Sequence, residues 1–318
     1  MRAGTIRDGE VVVDEHPDPE PGPGQVLVRV RAAGLNGADM LQRRGRYPAP
    51  PGSPADIPGL ELAGEVAALG PQVERFAEGD RVMAVVGGGG QAELAALHVR
   101  LLMPVPDGLD WPQAGGLPEV FTTAHDALFT QAQLRPGERL LVHGAAGGVG
   151  TAAVQLARMA GAHVTATVRS EEKRDGVADL GAHEVLPAEG FADHGPFDAI
   201  LELVGAPNLA ENLEALATNG RIATIGIGAG AKAELNLGLL LARRARIHGS
   251  TLRARPLEEK AVCARLVERH VLPGFESGAL RVPVADTFPL EEAGAAYDRF
   301  EAGPKLGKIV LVTNRADG

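Results

Sequence analysis

Residues 138–158, ERLLVHGAAGGVGTAAVQLAR, decide the fold of this chain. The apolar run at their start predicts a buried strand over 139–143, and the residues after the glycines predict a helix over 149–160. Between these elements lies the pattern G-x-G-x-x-G, with Ala145 at its first position and Gly147 and Gly150 at the other two. Glycines between a strand and a helix let the backbone approach a pyrophosphate, whose charge is stabilised at the helix N-terminus. The alternative is a tight turn that binds no ligand.

Strand-like and helix-like segments continue to alternate after this turn. The apolar patterns predict strands over 163–168, 197–204 and 221–225, with helical stretches that run to residue 180 and over 209–217. Such alternation indicates a parallel sheet with helices on both faces. We therefore predict an α/β fold with a doubly wound, Rossmann-type parallel sheet.

The first ~115 residues have a different character, because β-branched residues alternate there with breaks of proline and glycine. Residues 25–32 predict a strand. The preceding PDPEPGPG (17–24) excludes a helix or central strand, since proline removes backbone donors and fixes φ. A final strand predicted over 308–312 has no place in the series of βα units and is expected to return to the first domain.

The composition excludes several classes of function. A net charge of −10 argues against nucleic-acid binding, which needs lysine and arginine to displace counterions from phosphates. The single cysteine, Cys263, excludes an intrachain disulfide and a multi-cysteine zinc site. The first residues lack the apolar core of a signal peptide, and no apolar run approaches the roughly 20 residues that span a bilayer. We therefore expect a cytoplasmic protein with no nucleic-acid or membrane partner.

The end of the second Rossmann strand predicts the cofactor. An NAD-preferring site has an acidic residue there, about 20 residues after the glycines, to bond the ribose 2′-hydroxyl. This chain instead has Arg169, followed by Ser170 and Lys173. Two cations and a hydroxyl suit the 2′-phosphate of NADPH. The alternative is a solvated, basic helix start.

Several short segments, in this order and spacing, carry a resemblance to a known superfamily: GLNGADMLQRRGRY (34–47), PGLELAG (58–64), GDRVMA (79–84), LMPVPDGL (102–109), AAGGVG (145–150) and LGKIV (306–310). With them the chain resembles the medium-chain dehydrogenase/reductase superfamily over nearly its full length. Within it, the chain is similar to the zinc-free quinone oxidoreductases of the zeta-crystallin type.

The resemblance implies an architecture and an activity. A GroES-like β-rich domain is expected from residues 1–117 and 258–318, with the Rossmann domain, residues 118–257, inserted between its two parts. The cofactor is expected in the cleft between the domains, where pockets usually form. The implied activity is reduction of quinones by hydride transfer from NADPH, in a homodimer built through the Rossmann domains.

The resemblance also implies roles for individual residues. Asn36 is expected at the nicotinamide end of the cleft, Tyr47 on the substrate side and Thr123 near the nicotinamide. Asn36 is alternatively a turn residue, and Tyr47 alternatively only packs. The residues expected to bind the cofactor are Ala146, Gly147, Gly148, Val149, Gly150, Arg169, Ser170, Lys173, Val204, Gly205, Gly226, Ile227 and Lys308. For Lys308 the alternative is a solvated lysine near the end of the chain.

Some features of zinc alcohol dehydrogenases are missing. They carry Gly-His-Glu where this chain has Gly59, Leu60 and Glu61, and their catalytic and structural cysteines have no counterparts. We therefore expect an enzyme that works without a metal. A tyrosine that covers the adenosine in many relatives is also absent, near residues 185–188.

The sequence leaves other functions open. The same branch of the superfamily contains 2-alkenal and enoyl-thioester reductases, and the shape of the substrate pocket decides between them and a quinone reductase. A non-catalytic NADPH-binding protein, of the crystallin or RNA-associated kind, is the remaining alternative. The acidic charge balance argues against the RNA-associated form.

Overall fold

The computed structural model describes residues 1–313, and the chain in it forms two units. Unit 1 consists of Met1–Thr122, Leu252–Gly303 and the chain from Lys308, and unit 2 of Thr123–Thr251 and Pro304–Gly307. These divisions lie a few residues from the expected boundaries at 117/118 and 257/258. At the first boundary, helix Pro118–His125 begins at the expected division and runs across the observed one.

The strands, numbered in chain order, are β1 (Arg2–Arg7), β2 (Glu10–Glu15), β3 (Gln25–Gly34), β4 (Glu61–Leu69), β5 (Arg81–Val85), β6 (Leu94–His98), β7 (Met103–Pro104), β8 (Arg139–Val142), β9 (His163–Thr167), β10 (Glu184–Leu186), β11 (Phe197–Glu202), β12 (Leu216–Thr224), β13 (Arg246–Gly249), β14 (Val284–Pro289) and β15 (Lys308–Val312). The α-helices are α1 (Gly37–Arg43), α2 (Trp111–Gly115), α3 (Pro118–His125), α4 (Gly148–Met159), α5 (Arg174–Ala178), α6 (Leu209–Ala215), α7 (Leu237–Arg243), α8 (Leu257–His270), α9 (Leu272–Glu276) and α10 (Ala293–Glu301).

Unit 2 contains a six-stranded parallel sheet in the order β10-β9-β8-β11-β12-β13. Its central strands β8 and β11 are apolar and almost completely buried, as expected for strands covered by helices on both faces. The chain order reverses between β8 and β11. In open α/β sheets, ligands bind at the carboxyl ends of the strands beside such a reversal.

Unit 1 is built around a seven-stranded sheet in the order β14-β15-β3-β4-β5-β7, with β6 also paired to β3. The last strand, β15, lies antiparallel to β3, with Val310 opposite Gly34. The strand predicted over 308–312 therefore returns to the first domain, as expected. Alternate residues of β3 are completely buried and form one core with residues of β4, β5 and β6.

The helices and strands that the sequence predicts for the Rossmann-type unit are present in the structure, with differences at their ends. Strand β12 starts at Leu216, where a helix was predicted to continue to residue 217. The short strand β10 was not predicted, because three residues give no clear alternation of polar and apolar side chains. Within residues 1–313, no helix has the length and apolar character needed to cross a membrane.

Candidate functional site

The glycine turn joins β8 to α4 at the carboxyl edge of the parallel sheet. Gly144 adopts a left-handed conformation with φ of +61°, and Gly147 is the N-cap of α4. A Cβ on Gly150 would lie 2.5 Å from the carbonyl oxygen of Gly144, so no side chain fits there. A Cβ on Gly147 would meet only that same oxygen, at an ordinary 3.4 Å. The fold therefore requires glycine at 150, whereas at Gly147 the fold alone leaves room for a methyl group.

The N-terminus of α4 is suited to an anion. The helix has twelve residues, and no side chain caps its first backbone N–H groups. Such groups and the helix dipole together favour a phosphate. Val149 and Gly148 lie in this first turn, and the carbonyl of Ala146 accepts the N–H of Gly307 at 2.9 Å. The carbonyl of Ala146 is therefore hydrogen-bonded within the protein, whereas no side chain caps the first N–H groups of α4.

A basic group follows β9, the strand next to β8. Arg169 is exposed and Ser170 begins a short 3-10 helix, Glu171–Lys173, in which Lys173 is half-buried. The adjacent Arg174 was not predicted, and its Nε atom is buried without a hydrogen-bond partner. Glu171 lies 3.9 Å from Arg174 and is mostly exposed, so it neutralises this group only weakly.

The loops after β11 and β12 hold each other through their backbones. Ala206 N donates to Gly230 O at 2.9 Å, and Ala229 N donates to Val204 O at the same distance. A Cβ on Gly205 would lie 2.5 Å from Gly230 O. The structure thus brings the two predicted pairs of cofactor residues, Val204–Gly205 and Gly226–Ile227, together at the carboxyl edge of the sheet.

A Cβ on Gly226 would overlap the backbone of Leu203, so glycine is needed at this position also. Ile227 beside it is half exposed, at 50% of its full accessibility. The N–H groups of Val204 and Gly205 both donate to Oε1 of Glu202, at 2.6 and 2.8 Å. These two N–H groups are therefore satisfied within the protein, and only the side chains and the shape of the loop are available to a ligand.

A buried polar network connects three of the strand ends. Asn212 Nδ2 donates to Glu202 Oε2 at 2.7 Å, which turns Asn212 Oδ1 toward His143 Nε2, also at 2.7 Å. An amide oxygen only accepts, so Nε2 carries the proton and His143 Nδ1 accepts from the hydroxyl of Thr167 at 2.9 Å. Burial lowers the pKa of His143, although the charge of Glu202 opposes this shift. His143 is therefore neutral and fixes the strand that leads into the glycine turn.

In unit 1, Asn36 belongs to a second buried network. Its Nδ2 donates to Glu61 Oε1 at 2.9 Å, and its Oδ1 accepts from the ammonium of Lys308 at 2.7 Å. Lys308 also donates to Leu35 O and lies 2.6 Å from Glu61 Oε1, while Glu61 Oε2 accepts the backbone N–H of Glu119. The Lys308 ammonium thus has three acceptors and is 2% exposed. This geometry argues against a contact with cofactor phosphates, and equally against a solvated lysine.

Asp39 fixes the start of α1, which follows Asn36. Its carboxylate accepts the backbone N–H of Asn36 at 2.8 Å and that of Gly59 at 3.1 Å. Complete burial raises the pKa of Asp39 to about 6, against the opposing effect of these hydrogen bonds and of the Lys308 and Arg253 charges. Asn36 is thus both the helix N-cap and a member of the Glu61–Lys308 network.

Tyr47 lies in the long loop after α1 and is held there by Arg253. The guanidinium lies 5.0 Å from the centre of the Tyr47 ring and donates to the carbonyls of Tyr47 and Gly87, at 2.8 and 2.7 Å. Its third partner is the side-chain oxygen of Gln42. Burial raises the pKa of the half-buried Tyr47 hydroxyl, which is therefore protonated at neutral pH. Arg253 thus fixes both the loop and the ring.

The third predicted catalytic residue, Thr123, lies on α3 with only 7% of its surface exposed, and it belongs to unit 2. The sequence did not reveal Asp39, His143 or Glu202 as site residues, and it left the role of Arg253 undecided. From the sequence, Glu61 was identified only as the acidic residue that follows Leu60, in the segment where zinc alcohol dehydrogenases carry Gly-His-Glu. A metal centre has no candidate ligands in the described structure, where no three His, Cys, Asp or Glu side chains are grouped to hold an ion.

Comparison with known proteins gives matches along most of the chain. The alcohol dehydrogenase GroES-like domain matches residues 22–107, and the zinc-binding dehydrogenase family matches residues 148–268. The quinone oxidoreductase of Rattus norvegicus is 34% identical over 306 residues, which cover 92% of this chain and 91% of the rat protein.

Solved structures agree with these matches. An alcohol dehydrogenase superfamily protein from Novosphingobium aromaticivorans has a TM-score of 0.89 at 32% identity and covers 99% of this chain and 100% of its own. A mycobacterial protein in complex with NADPH has a TM-score of 0.87 at 29% identity and covers 98% of this chain and 100% of its own. The similarity therefore extends over both units.

Proposed function

Because this chain belongs to the medium-chain dehydrogenase/reductase superfamily and has quinone oxidoreductases as relatives over nearly its whole length, we propose that it reduces quinones by hydride transfer from NADPH, without a metal ion. The observation that carries the cofactor assignment is the basic group of Arg169, Lys173 and Arg174 beside the uncapped start of α4. These features suit the 2′-phosphate and the pyrophosphate of NADPH.

The residues at hand fit such a cofactor. A Cβ on Gly147 would meet only the carbonyl oxygen of Gly144, at 3.4 Å, and Arg174 Nε is buried without a hydrogen-bond partner. When bound, the nicotinamide supplies the hydride, and the protein supplies orientation and electrostatics. Ala146, Gly148, Val149 and Ser170 complete the proposed phosphate site, and Val204, Gly205, Gly226 and Ile227 the site for the ribose and nicotinamide.

We propose that Tyr47 contacts the substrate. The Tyr47 hydroxyl is protonated at neutral pH and can donate a hydrogen bond to the oxygen that gains charge in a reduced quinone. Asn36 has both ends of its amide engaged by Glu61 and Lys308, so we assign it to positioning rather than to substrate contact. We propose that Thr123 lines the nicotinamide site.

The proposal that the enzyme works without a metal ion rests on the residues that stand at the positions of zinc ligands. Leu60 stands where zinc alcohol dehydrogenases have histidine, and Glu61 is bound to a lysine ammonium instead of a metal. An ammonium 2.6 Å from the carboxylate already supplies the positive charge that this acid needs.

We further propose that the protein acts as a homodimer through unit 2. Strand β13 is the edge of the parallel sheet and pairs only with β12 in the described structure. Beside it, Leu237 and Leu241 on α7 are 63% and 76% exposed, and Ile247 on β13 is partly exposed. A strand edge next to exposed leucines is a surface that a second copy can cover.

The experiment that tests the function is an NADPH-oxidation screen with ortho- and para-quinones, 2-alkenals and crotonyl thioesters, with and without a strong chelator. We expect the highest kcat/KM with a quinone, no effect of the chelator and no stoichiometric zinc in the purified protein. A clear preference for an alkenal or thioester would contradict the quinone assignment. Binding of NADPH without oxidation of it by any of these compounds would indicate the non-catalytic alternative.

A further inference from the structure

Glu202, the last residue of β11, holds two loops at the carboxyl edge of the parallel sheet. Its Oε1 atom accepts the backbone N–H groups of Val204 and Gly205, at 2.6 and 2.8 Å. Its own backbone carbonyl accepts the N–H groups of Ile225 and Gly226, at 2.9 and 3.0 Å. One residue therefore fixes the start of the loop after β11 and the start of the loop after β12.

The second carboxylate oxygen connects Glu202 to two further strands. This Oε2 atom accepts the side-chain amide of Asn212, whose oxygen accepts from the ring of His143, the residue that follows β8. The other ring nitrogen of His143 accepts the hydroxyl of Thr167, the last residue of β9. The carbonyl of Thr167 accepts the N–H of Ala145 in the glycine turn, at 3.1 Å. A single network thus reaches the carboxyl ends of β8, β9, β11 and β12.

The carboxylate of Glu202 is buried, and all of its partners are donors. They are two backbone N–H groups and the side-chain amides of Asn208 and Asn212. A protonated acid would need an acceptor for its own proton, so this arrangement favours the ionised form. Within residues 1–313, the one basic group at ion-pair distance is the ring of His143, 3.9 Å away, which is neutral. Hydrogen bonds therefore compensate the charge, and such bonds are roughly twice as strong as those between neutral groups.

We propose that Glu202 is a positioning residue for the cofactor, and that its negative charge sets the direction of the hydrogen bonds that run through Asn212 to His143. This role rests on the proposed function, because the two loops contain Val204–Gly205 and Gly226–Ile227, the residues assigned to the ribose and the nicotinamide. A loop that is already fixed loses little conformational entropy when the cofactor binds, so the affinity is higher. Glu202 acts through the loops and does not touch the cofactor, since both of its oxygens are occupied within the protein.

Glu202→Gln keeps the shape of the side chain and removes its charge. The remaining oxygen can still accept the two loop N–H groups, but the new amide nitrogen needs an acceptor in place of a donor. Asn212 can supply that acceptor by turning its amide, which presents its nitrogen to His143 Nε2. His143 must then be protonated on Nδ1 and donate to the hydroxyl of Thr167, which accepts as well as donates. The variant therefore reverses the network without emptying it, and we expect it to fold.

Nitrogen-15 NMR of the histidine rings measures this reversal in the protein without cofactor. We expect His143 to be protonated on Nε2 in the wild type and on Nδ1 in Glu202→Gln. Its signals are the ones, among those of the nine histidines of the chain, that are missing in His143→Asn. The same tautomer in the wild type and in Glu202→Gln would show that the charge does not direct the network, and would overturn the proposal.

The binding experiment compares NADPH with adenosine 2′,5′-bisphosphate, which has the 2′-phosphate but lacks the nicotinamide and its ribose. We expect Glu202→Gln to weaken NADPH binding about tenfold or more, because charged hydrogen bonds to the loop become neutral ones, and to change the Kd of the bisphosphate by less than about twofold. Glu214→Gln removes an exposed carboxylate from α6, the helix that carries Asn212, and as the control it should change neither Kd.

The outcomes of this experiment separate the positioning role from the proposed function. Unchanged NADPH affinity in Glu202→Gln would overturn the positioning role alone. An equal loss for both ligands would also overturn it, since it would indicate a general structural effect. A wild type that binds neither ligand would contradict the proposed function as well.

Hydrogen exchange in the wild type tests the positioning role without any variant. If Glu202 fixes the loop in advance, the amides of residues 204–206 should exchange slowly before NADPH is added, and the cofactor should slow them little further. Fast exchange of these amides in the free protein, followed by strong protection with NADPH, would show that the cofactor orders the loop. That result would overturn the proposal.

Discussion

The ammonium of Lys308 lies 2.6 Å from the carboxylate of Glu61, and both side chains are almost completely buried. Lys308 begins β15 and Glu61 begins β4, so the pair joins segments that lie far apart in the sequence. Asn36 bridges the two charges through its amide. A buried ion pair of this kind stabilises a particular arrangement mainly because either charge alone would be very unfavourable.

Removing one partner should therefore strongly destabilise unit 1. We expect Lys308→Met to lower the free energy of unfolding by about 3–5 kcal/mol, because it leaves the Glu61 carboxylate buried without a cation. Urea denaturation followed by circular dichroism measures the loss. The double variant Lys308→Met, Glu61→Leu should recover part of it; a double variant as unstable as the sum of the singles would show that the charges do not interact.

Cofactor preference tests the basic group after β9. Wild type should bind NADPH on the order of ten- to several-hundredfold more tightly than NADH, since one or two charged hydrogen bonds contribute about 1.5–3 kcal/mol each. Arg169→Ala should remove a large part of this ratio, while Arg135→Ala, an exposed arginine before β8, should not. Dissociation constants for both cofactors, measured by fluorescence titration, test these expectations. Equal affinity for both cofactors in the wild type would refute the assignment.

The two glycines of the turn should respond differently to alanine. Gly147→Ala should fold with only a small loss of stability, because its Cβ has room, and should weaken NADPH binding at least tenfold. Gly150→Ala should lower the melting temperature, because its Cβ would lie 2.5 Å from Gly144 O. Thermal melts and NADPH titrations check both. Undiminished NADPH affinity in Gly147→Ala would identify the turn as purely structural.

Asp39 should give the stability a pH dependence. Its pKa is raised from 3.8 to about 6 in the folded state, so the folded protein holds this proton more tightly than the unfolded chain does. The stabilisation that protonated Asp39 contributes is therefore complete below pH 3.8 and is lost as the pH rises through 6. The free energy of unfolding falls by about 3 kcal/mol in total over this range. Asp39→Asn should remove this component of the slope in urea titrations between pH 4 and 7. An identical slope in wild type and variant would show that the carboxylate titrates normally.

The proposed dimer face can be tested with one charge. Leu241→Glu places a carboxylate on the exposed face of α7, where it should be tolerated in a monomer and be unfavourable inside an interface. Size-exclusion chromatography with light scattering should show a dimer for wild type and a monomer for the variant. Val262→Glu, at another exposed apolar position on α8 in unit 1, is the matched control and should remain dimeric.

The sequence by itself determined the Rossmann-type unit. Residues 138–158 combine a buried strand, a glycine turn and a helix, and these are local patterns whose meaning depends on neighbours in the chain. The sequence expected glycine at 150 because of an approaching pyrophosphate, whereas the structure shows that a Cβ there would contact Gly144 only a few residues away. The place of Arg169, Ser170 and Lys173 after a strand end was predictable from the same local pattern, and their contact with a 2′-phosphate stays a prediction.

Tertiary structure alone decided the buried polar networks. Lys308 was expected at the cofactor phosphates or in solvent, yet strand pairing of β15 with β3 carries it to Glu61 and Asn36. Arg253 reaches the Tyr47 loop across a similarly large separation in sequence, and Glu202 receives its partners only when the sheet and its loops are assembled. A charged side chain in a sequence does not reveal whether it will be buried. That depends on which distant segment supplies the opposing charge or hydrogen bond, and only the folded chain brings those segments together.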